Sequence, residues 1–304
     1  MAELGAFGRF GDDLVGRRDR TRAVAGRLYV AALSIVGIAV ALLIVSLIGT
    51  IVIKGAPAIS WEFLSTPPVR GMSQGGIWPM IRGSLLLMAG TLLIVPVIGV
   101  LGGVWLAEYA GGGRIPQAMR ACVTTLAATP PIVYGLFGFS IFVLKLGLGV
   151  SLVAGWLTLS VMSIPVVVLT TEAAVRAVPE RFAEGAVALG LSKWQSLWRV
   201  LLPNALPGIL TGLVLSAGRA VGEAPPILLT AGIYYSTEKL GLSWETLRRP
   251  VANLPYHLAE GYRQGGVIPE KIIWGTCLTL MLFVLLINLG AILVRARVRT
   301  RQQW

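Results

Sequence analysis

The chain has 304 residues, of which 55% are hydrophobic and only 13% charged, against about 25% charged in an ordinary soluble domain. That balance excludes disorder, which needs low hydrophobicity and high charge, and it excludes a water-soluble fold free of large exposed apolar patches. An integral membrane protein is left; its net charge of +12 comes from Arg and Lys that flank apolar runs instead of forming one stripe, which indicates loops at an anionic leaflet and not nucleic-acid binding.

A membrane span takes about 20 mostly apolar residues. After a basic N-terminal segment, 1–27, the stretch Leu28–Ile53 is the first span: 26 residues without a charge. The apolar core of a cleaved signal peptide is shorter, about 7–15 residues, so this segment reads as a retained anchor. A loop over 54–82, with Trp61, Pro67-Pro68 and Trp78, leads to the second span, Gly83–Ala107. The third, Ala121–Leu144, is broken by Pro130-Pro131, and the fourth, Val150–Thr170, contains Pro165. A long loop over 171–204 precedes the fifth span, Ala205–Ala231, which carries Arg219, Glu223 and Pro225-Pro226. The loop 232–271 holds Tyr234-Tyr235, Trp244 and Tyr256; the sixth span, Ile272–Val294, then ends in a basic tail, 295–304. The expectation is an all-α, polytopic six-span domain over 28–294. Six spans put both termini on one side. That side holds 16 Lys and Arg against nine on the other, which places the termini and the 171–204 loop in the cytoplasm and the 54–82 and 232–271 loops outside.

The chain offers little for covalent chemistry. Its single histidine, His257, and its two cysteines, Cys122 and Cys277, give no metal spacing and no nucleophile–base set. No lysine follows a glycine, so the GxxxxGK[ST] phosphate loop is absent, and any ATP used must be bound, with its magnesium, by another chain. A membrane enzyme is therefore the least expected class, and this chain itself is expected to hold no cofactor.

The 171–204 loop contains two short amphipathic pieces. One follows Pro179, with Phe182, Ala186 and Leu189 at helical spacing, and Gly190 is placed to end it in the left-handed conformation. The other starts after Ser192, an N-cap, carries Trp194, Leu197, Trp198, Leu201 and Leu202, and is expected to stop before Pro203. Helices presented this way suit docking in a partner's groove. The residues Glu184-Gly185-Ala186, then Gly190, then Val200-x-Leu202-Pro203 resemble the EAA loop of ABC-importer permeases, E-A-A-x3-G-x9-I-x-L-P, with Gly185 and Val200 as the two departures. That resemblance implies a coupling helix seated in a cleft of a separate ATPase subunit.

In the fifth span Gly208, Gly212, Ser216, Ala220 and Ala224 recur every fourth position, a small-residue stripe that permits close helix approach. Arg219 and Glu223, also four apart, share a face about 60° away. An Arg at membrane depth costs about 2.5–3.5 kcal/mol on insertion scales, so the pair is expected to face a bundle interior or cavity. It reads either as a buried ion pair that fixes packing or as an anion site, in which the five-donor guanidinium takes an oxyanion and Glu223 competes it off again. The glycines and prolines around the pair loosen the helix, as suits backbone lining a cavity.

The stretches GGIWPMIRGSLLLMAGTLLIVPVIGVLGGVWLAEYA, TLAATPPIVYGLFG, GRAVGEAPPILLTAG and VANLPYHL are similar to the PstA-type permeases of phosphate ABC importers, over about 75–260. The resemblance implies a type I ABC importer fold with six transmembrane helices. It also implies a PstC-type permease as heterodimer partner, two PstB-type ATPase chains and a PstS-type phosphate-binding protein at the outer loops. A sulfate or molybdate permease shares the loop pattern and is the alternative; a secondary anion transporter has no need of an ATPase-docking loop.

Overall fold

The computed structural model describes residues 4–70, 72–233, 244–263 and 268–300. The chain divides into two units after Lys54. The first unit is one helix: α1, Leu4–Gly55, begins there and is exposed along almost the whole of its apolar stretch. Side chains this apolar left uncovered call for lipid.

The second unit is a helical bundle with small caps. After α1 come α2 (Trp61–Ser65) and a two-stranded antiparallel ribbon, β1 (Pro68–Val69) with β2 (Gln74–Gly75). Ser60 caps α2, its hydroxyl accepting from the Phe63 amide at 3.1 Å. The long α3 (Trp78–Val104) follows, closed by a wide π turn, Trp105–Tyr109. Then α4 (Arg114–Ala128) and α5 (Pro131–Gly138), the latter extended by a π segment to Lys145, form a bent pair with 100° between them. The predicted third span is thus two helices. Thr129 is extended, as a residue before proline prefers, and the Tyr134 hydroxyl braces the bend by donating to the Leu126 carbonyl at 2.6 Å.

The centre of the bundle is α3 packed on α6 (Leu152–Arg176), and small residues set the approach. The Trp156 indole lies against Gly90 and donates to the Leu86 carbonyl at 2.8 Å. Further along, Gly99 meets Val167 and Gly103 meets Thr171. Three apolar clusters follow one another. At one end Phe63, Ile77 and Met80 pack with Ala252 and Leu254; Leu87, Leu159, Met162 and Ile227 form the middle; Val104, Val175, Leu197, Leu201 and Ile209 close the other end.

After α6 the chain makes a hairpin of α7 (Glu180–Ala188) and α8 (Lys193–Ser196). A π segment, Leu197–Leu201, joins α8 to α9 (Leu202–Gly222), so that 193–222 is one continuous helix of 30 residues. The expected stop before Pro203 does not occur. The Leu202 amide reaches back to the Leu197 carbonyl, one residue further than in an α-helix. The widened turn takes up the proline, which supplies no N–H and whose ring would crowd the carbonyl four residues earlier.

The expected end of the fifth span at Ala231 is also corrected. The helix stops at Gly222, Glu223 is extended, and a short α10 (Pro225–Leu228) follows. Two successive prolines would orphan two carbonyls, so the helix ends ahead of them. Then come α11 (Trp244–Leu247), α12 (Leu254–Arg263) and α13 (Glu270–Thr300). Among the described residues five helices are long and apolar enough to cross a membrane, and six if the bent α4–α5 pair counts as one span.

Candidate functional site

Two groups of sequence-predicted residues lie at opposite ends of the 193–222 helix. The first group sits in the hairpin. Gly190 has φ +78°, the left-handed conformation that a side chain disfavours, and its amide donates to the Val187 carbonyl at 2.9 Å while the Leu191 amide reaches Ala186 at 3.0 Å. Two residues on, Ser192 and Gln195 form a reciprocal capping box: the Gln195 amide donates to the Ser192 hydroxyl at 3.3 Å, and the Ser192 amide to Gln195 Oε1 at 3.0 Å. Local chemistry alone therefore shapes this turn.

Packing decides which hairpin face is free. Ala186 is buried, and Phe182 and Leu202 pack on the cluster around Val175, Leu197 and Leu201. Glu184 and Gly185 are exposed, and a Cβ at Gly185 would meet nothing within 4 Å. Leu189, expected on the apolar stripe with Phe182 and Ala186, instead points outward at 82% exposure, because it is the C-cap where the helix unwinds. Val187, Trp194 and Trp198 are exposed as well, the two indoles in edge contact at 5.4 Å. Pro203 is exposed at the start of α9.

The second group is the charged pair. Arg219 Nε lies 3.4 Å from Glu223 Oε1, with the side chains 29% and 25% exposed. The sequence placed both on one helical face; the structure puts Arg219 in the last helical turn and Glu223 at the cap beyond it, its amide donating to the Arg219 carbonyl at 3.1 Å. A cation beside the carbonyl end of a helix is favourably placed. The small-residue stripe does its expected work along the same helix: Gly208 meets Ala174 and Gly212 meets Thr170, which brings α9 close to α6. The pair lies 17 residues beyond Leu202, about 25 Å along α9 at 1.5 Å per residue.

Two polar groups near the pair were not singled out in the sequence. Asn288 of α13 presents its side-chain oxygen 3.3 Å from where a Cβ on Gly218 would stand. The Tyr134 phenol of α5 is within electrostatic reach of Arg219. An asparagine inside an apolar run was the available signal for the first; nothing local marked the second.

Of the aromatic residues expected on the 232–271 loop, Tyr234 and Tyr235 fall outside the described residues. Trp244 is exposed, with the Arg248 guanidinium 5.6 Å from its ring centroid. Tyr256 is half-buried against Gly232. Burial holds His257 largely neutral, its pKa lowered to about 4.

The chain matches the sequence model of binding-protein-dependent transport system inner membrane components over residues 99–302. It is 34% identical to a probable ABC transporter permease protein, YqgI, of Bacillus subtilis, over 89% of this chain and 95% of that one. It is 32% identical to the phosphate transport system permease protein PstA of Xylella fastidiosa, over 80% and 82%, and 34% identical to that of Haemophilus influenzae, over 79% and 83%. Among solved structures it superposes on a chain of a bacterial alginate ABC transporter with TM-score 0.61 at 16% identity, covering 87% of this chain and 92% of that one. It superposes on the inward-facing MetNI methionine ABC transporter with TM-score 0.58 at 22% identity, covering 73% and 97%. The bundle thus has the type I ABC importer permease fold, and the chain belongs to the family of binding-protein-dependent transport system inner membrane components.

Proposed function

We propose that this chain is the membrane-spanning permease subunit of an ATP-driven phosphate importer, with both termini and the hairpin in the cytoplasm. It pairs with a PstC-type permease, receives substrate from a PstS-type binding protein at its outer loops, and docks one of two PstB-type ATPase chains, which bind ATP and magnesium. The observation that carries the reading is the unbroken helix from Lys193 to Gly222, with an apolar docking hairpin at its start and the Arg219–Glu223 pair at its end. A load applied to the hairpin reaches the charged pair along one rod. The hairpin exposes apolar Val187, Leu189, Trp194 and Trp198, side chains suited to seating in a partner's groove.

The pair supplies a transient anion contact. The Arg219 fork donates to phosphate oxygens, and Glu223 reclaims the guanidinium as the anion leaves. Passage requires this contact to be weak, because a strong site would trap the substrate.

Reconstitution in vesicles with the ATPase, the partner permease and a binding protein tests the reading. Phosphate-loaded binding protein is expected to stimulate ATP hydrolysis and phosphate uptake. Arg219→Ala is expected to lose uptake while the complex still assembles. Stimulation by sulfate- or molybdate-loaded protein instead of phosphate would reassign the substrate; uptake without any ATPase would remove the importer reading.

A further inference from the structure

At the hairpin end of the bundle, α3 finishes in the π turn Trp105–Tyr109 and the chain swings away at Gly111, φ +60°. The Ala110 amide closes that turn on Trp105, and the carbonyls beyond it are left to other partners. Side chains from three other elements supply them. Arg120 of α4 and Arg176 of α6 both donate to the Leu106 carbonyl, at 2.9 and 3.2 Å. Lys193, the first residue of α8, donates to the Glu108 carbonyl at 2.5 Å and stands 4.7 Å from the Tyr109 ring centroid. Three cations on the negative end of one helix repel each other and need a counter-charge. It is Glu172 of α6, whose Oε1 accepts from Arg120 Nε at 2.6 Å and Arg176 Nε at 3.1 Å, with the side chain only 9% exposed. A carboxylate this buried is tolerable only while both partners stay in place.

We propose that Glu172 is a positioning residue for energy coupling. It holds Arg120 and Arg176 as a clamp on the end of α3, and Lys193 ties the docking hairpin to the same turn, so that α3, α4, α6 and the hairpin move together. The inference rests on the importer reading above. Without the clamp, a hairpin displacement tilts α9 alone and leaves α3 behind. Hydrolysis in the partner then continues with less transport per ATP.

The experiment uses the full complex in vesicles, with Cys122 and Cys277 replaced by Ser and spin labels at Ile115→Cys and Arg181→Cys, both exposed positions outside the apolar docking residues. Wild type is expected to give a narrow label distance that shifts as one population on adding ATP. Glu172→Gln is expected to broaden it and to lower phosphate taken up per ATP hydrolysed about tenfold, the size of an ordinary coupling effect. Glu172→Asp, which keeps the carboxylate, is expected to restore most of both. Lys193→Gln removes the second tie without touching the buried acid, so it decides the matter if Glu172→Gln fails to assemble; it is expected to lower the ratio in the same direction. A wild-type ratio and a narrow distance in Glu172→Gln overturn the proposal, as does a wild-type ratio in Lys193→Gln when the glutamine variant is lost. If the wild-type complex shows no ATP-driven uptake, the importer reading fails, and the label distances still report whether the clamp exists.

Discussion

Gly185 and Gly190 lie five residues apart in the α7–α8 hairpin, and a methyl group added to either meets nothing within 4 Å. Packing therefore predicts no difference between Gly185→Ala and Gly190→Ala, whereas backbone conformation predicts opposite signs. Gly185 is inside α7, where alanine is favoured over glycine by about 0.5–1 kcal/mol. Gly190 is at φ +78°, where a Cβ crowds the backbone at about 1–2 kcal/mol. Alanine also restrains the unfolded chain, which returns about 0.4–1 kcal/mol and leaves a net loss of about 1 kcal/mol at 190. One kcal/mol is about a fivefold change in the open population of a locally unfolding segment. Hydrogen exchange over residues 180–200 in lipid nanodiscs reads this directly: faster by about fivefold in Gly190→Ala, slower in Gly185→Ala. Equal effects in the two variants, or an unchanged rate in Gly190→Ala, would refute the claim that backbone handedness shapes the turn.

Three other expectations follow from the structure. Gly90→Ala sets a Cβ 1.9 Å from the Trp156 indole, which its hydrogen bond to Leu86 prevents from giving way, so membrane-assembled protein should be lost and not merely slowed. Glu223→Gln leaves Arg219 with a weaker competitor; at this partial exposure the pair is worth about 1 kcal/mol, so substrate release and maximal uptake should slow about fivefold with assembly intact, and unchanged kinetics would count against the exchange role. His257 has a folded pKa near 4 against 6.5 unfolded. The unfolded form binds the extra proton, so stability is fully present above pH 6.5, and about 2 kcal/mol is gone by pH 5. Hydrogen exchange in α12, corrected for intrinsic rates, should rise over that window and lose its pH dependence in His257→Gln.

Much of the architecture was legible because it rests on local chemistry. The break at Pro130-Pro131, the left-handed turn at Gly190 and the cap at Ser192 each follow from what one or two residues allow, and the small-residue stripe from Gly208 onward does meet a neighbouring helix. What stayed hidden was decided by distant partners. Nothing near Pro203 announces that a π turn will carry the helix through it; the choice is made by burial of Leu197 and Leu201 in the cluster with Val175. Glu172 was passed over because its meaning lies in Arg120, 52 positions earlier in the chain. The seating of Tyr256 on Gly232 is a contact that no pattern of aromatic residues reveals.

The π turn at Leu197–Leu201 also fixes an angle. Each residue of an α-helix advances about 100° around the axis, so one residue accommodated in a wider turn resets the azimuth of everything after it. Remove that residue and regularise the turn, and the guanidinium at the far end would swing about a quarter-turn away from its present heading while the tryptophans stayed put. The rod therefore behaves as a keyed shaft: its length sets how far Arg219 stands from the hairpin, and its irregular turn sets the direction in which that guanidinium points.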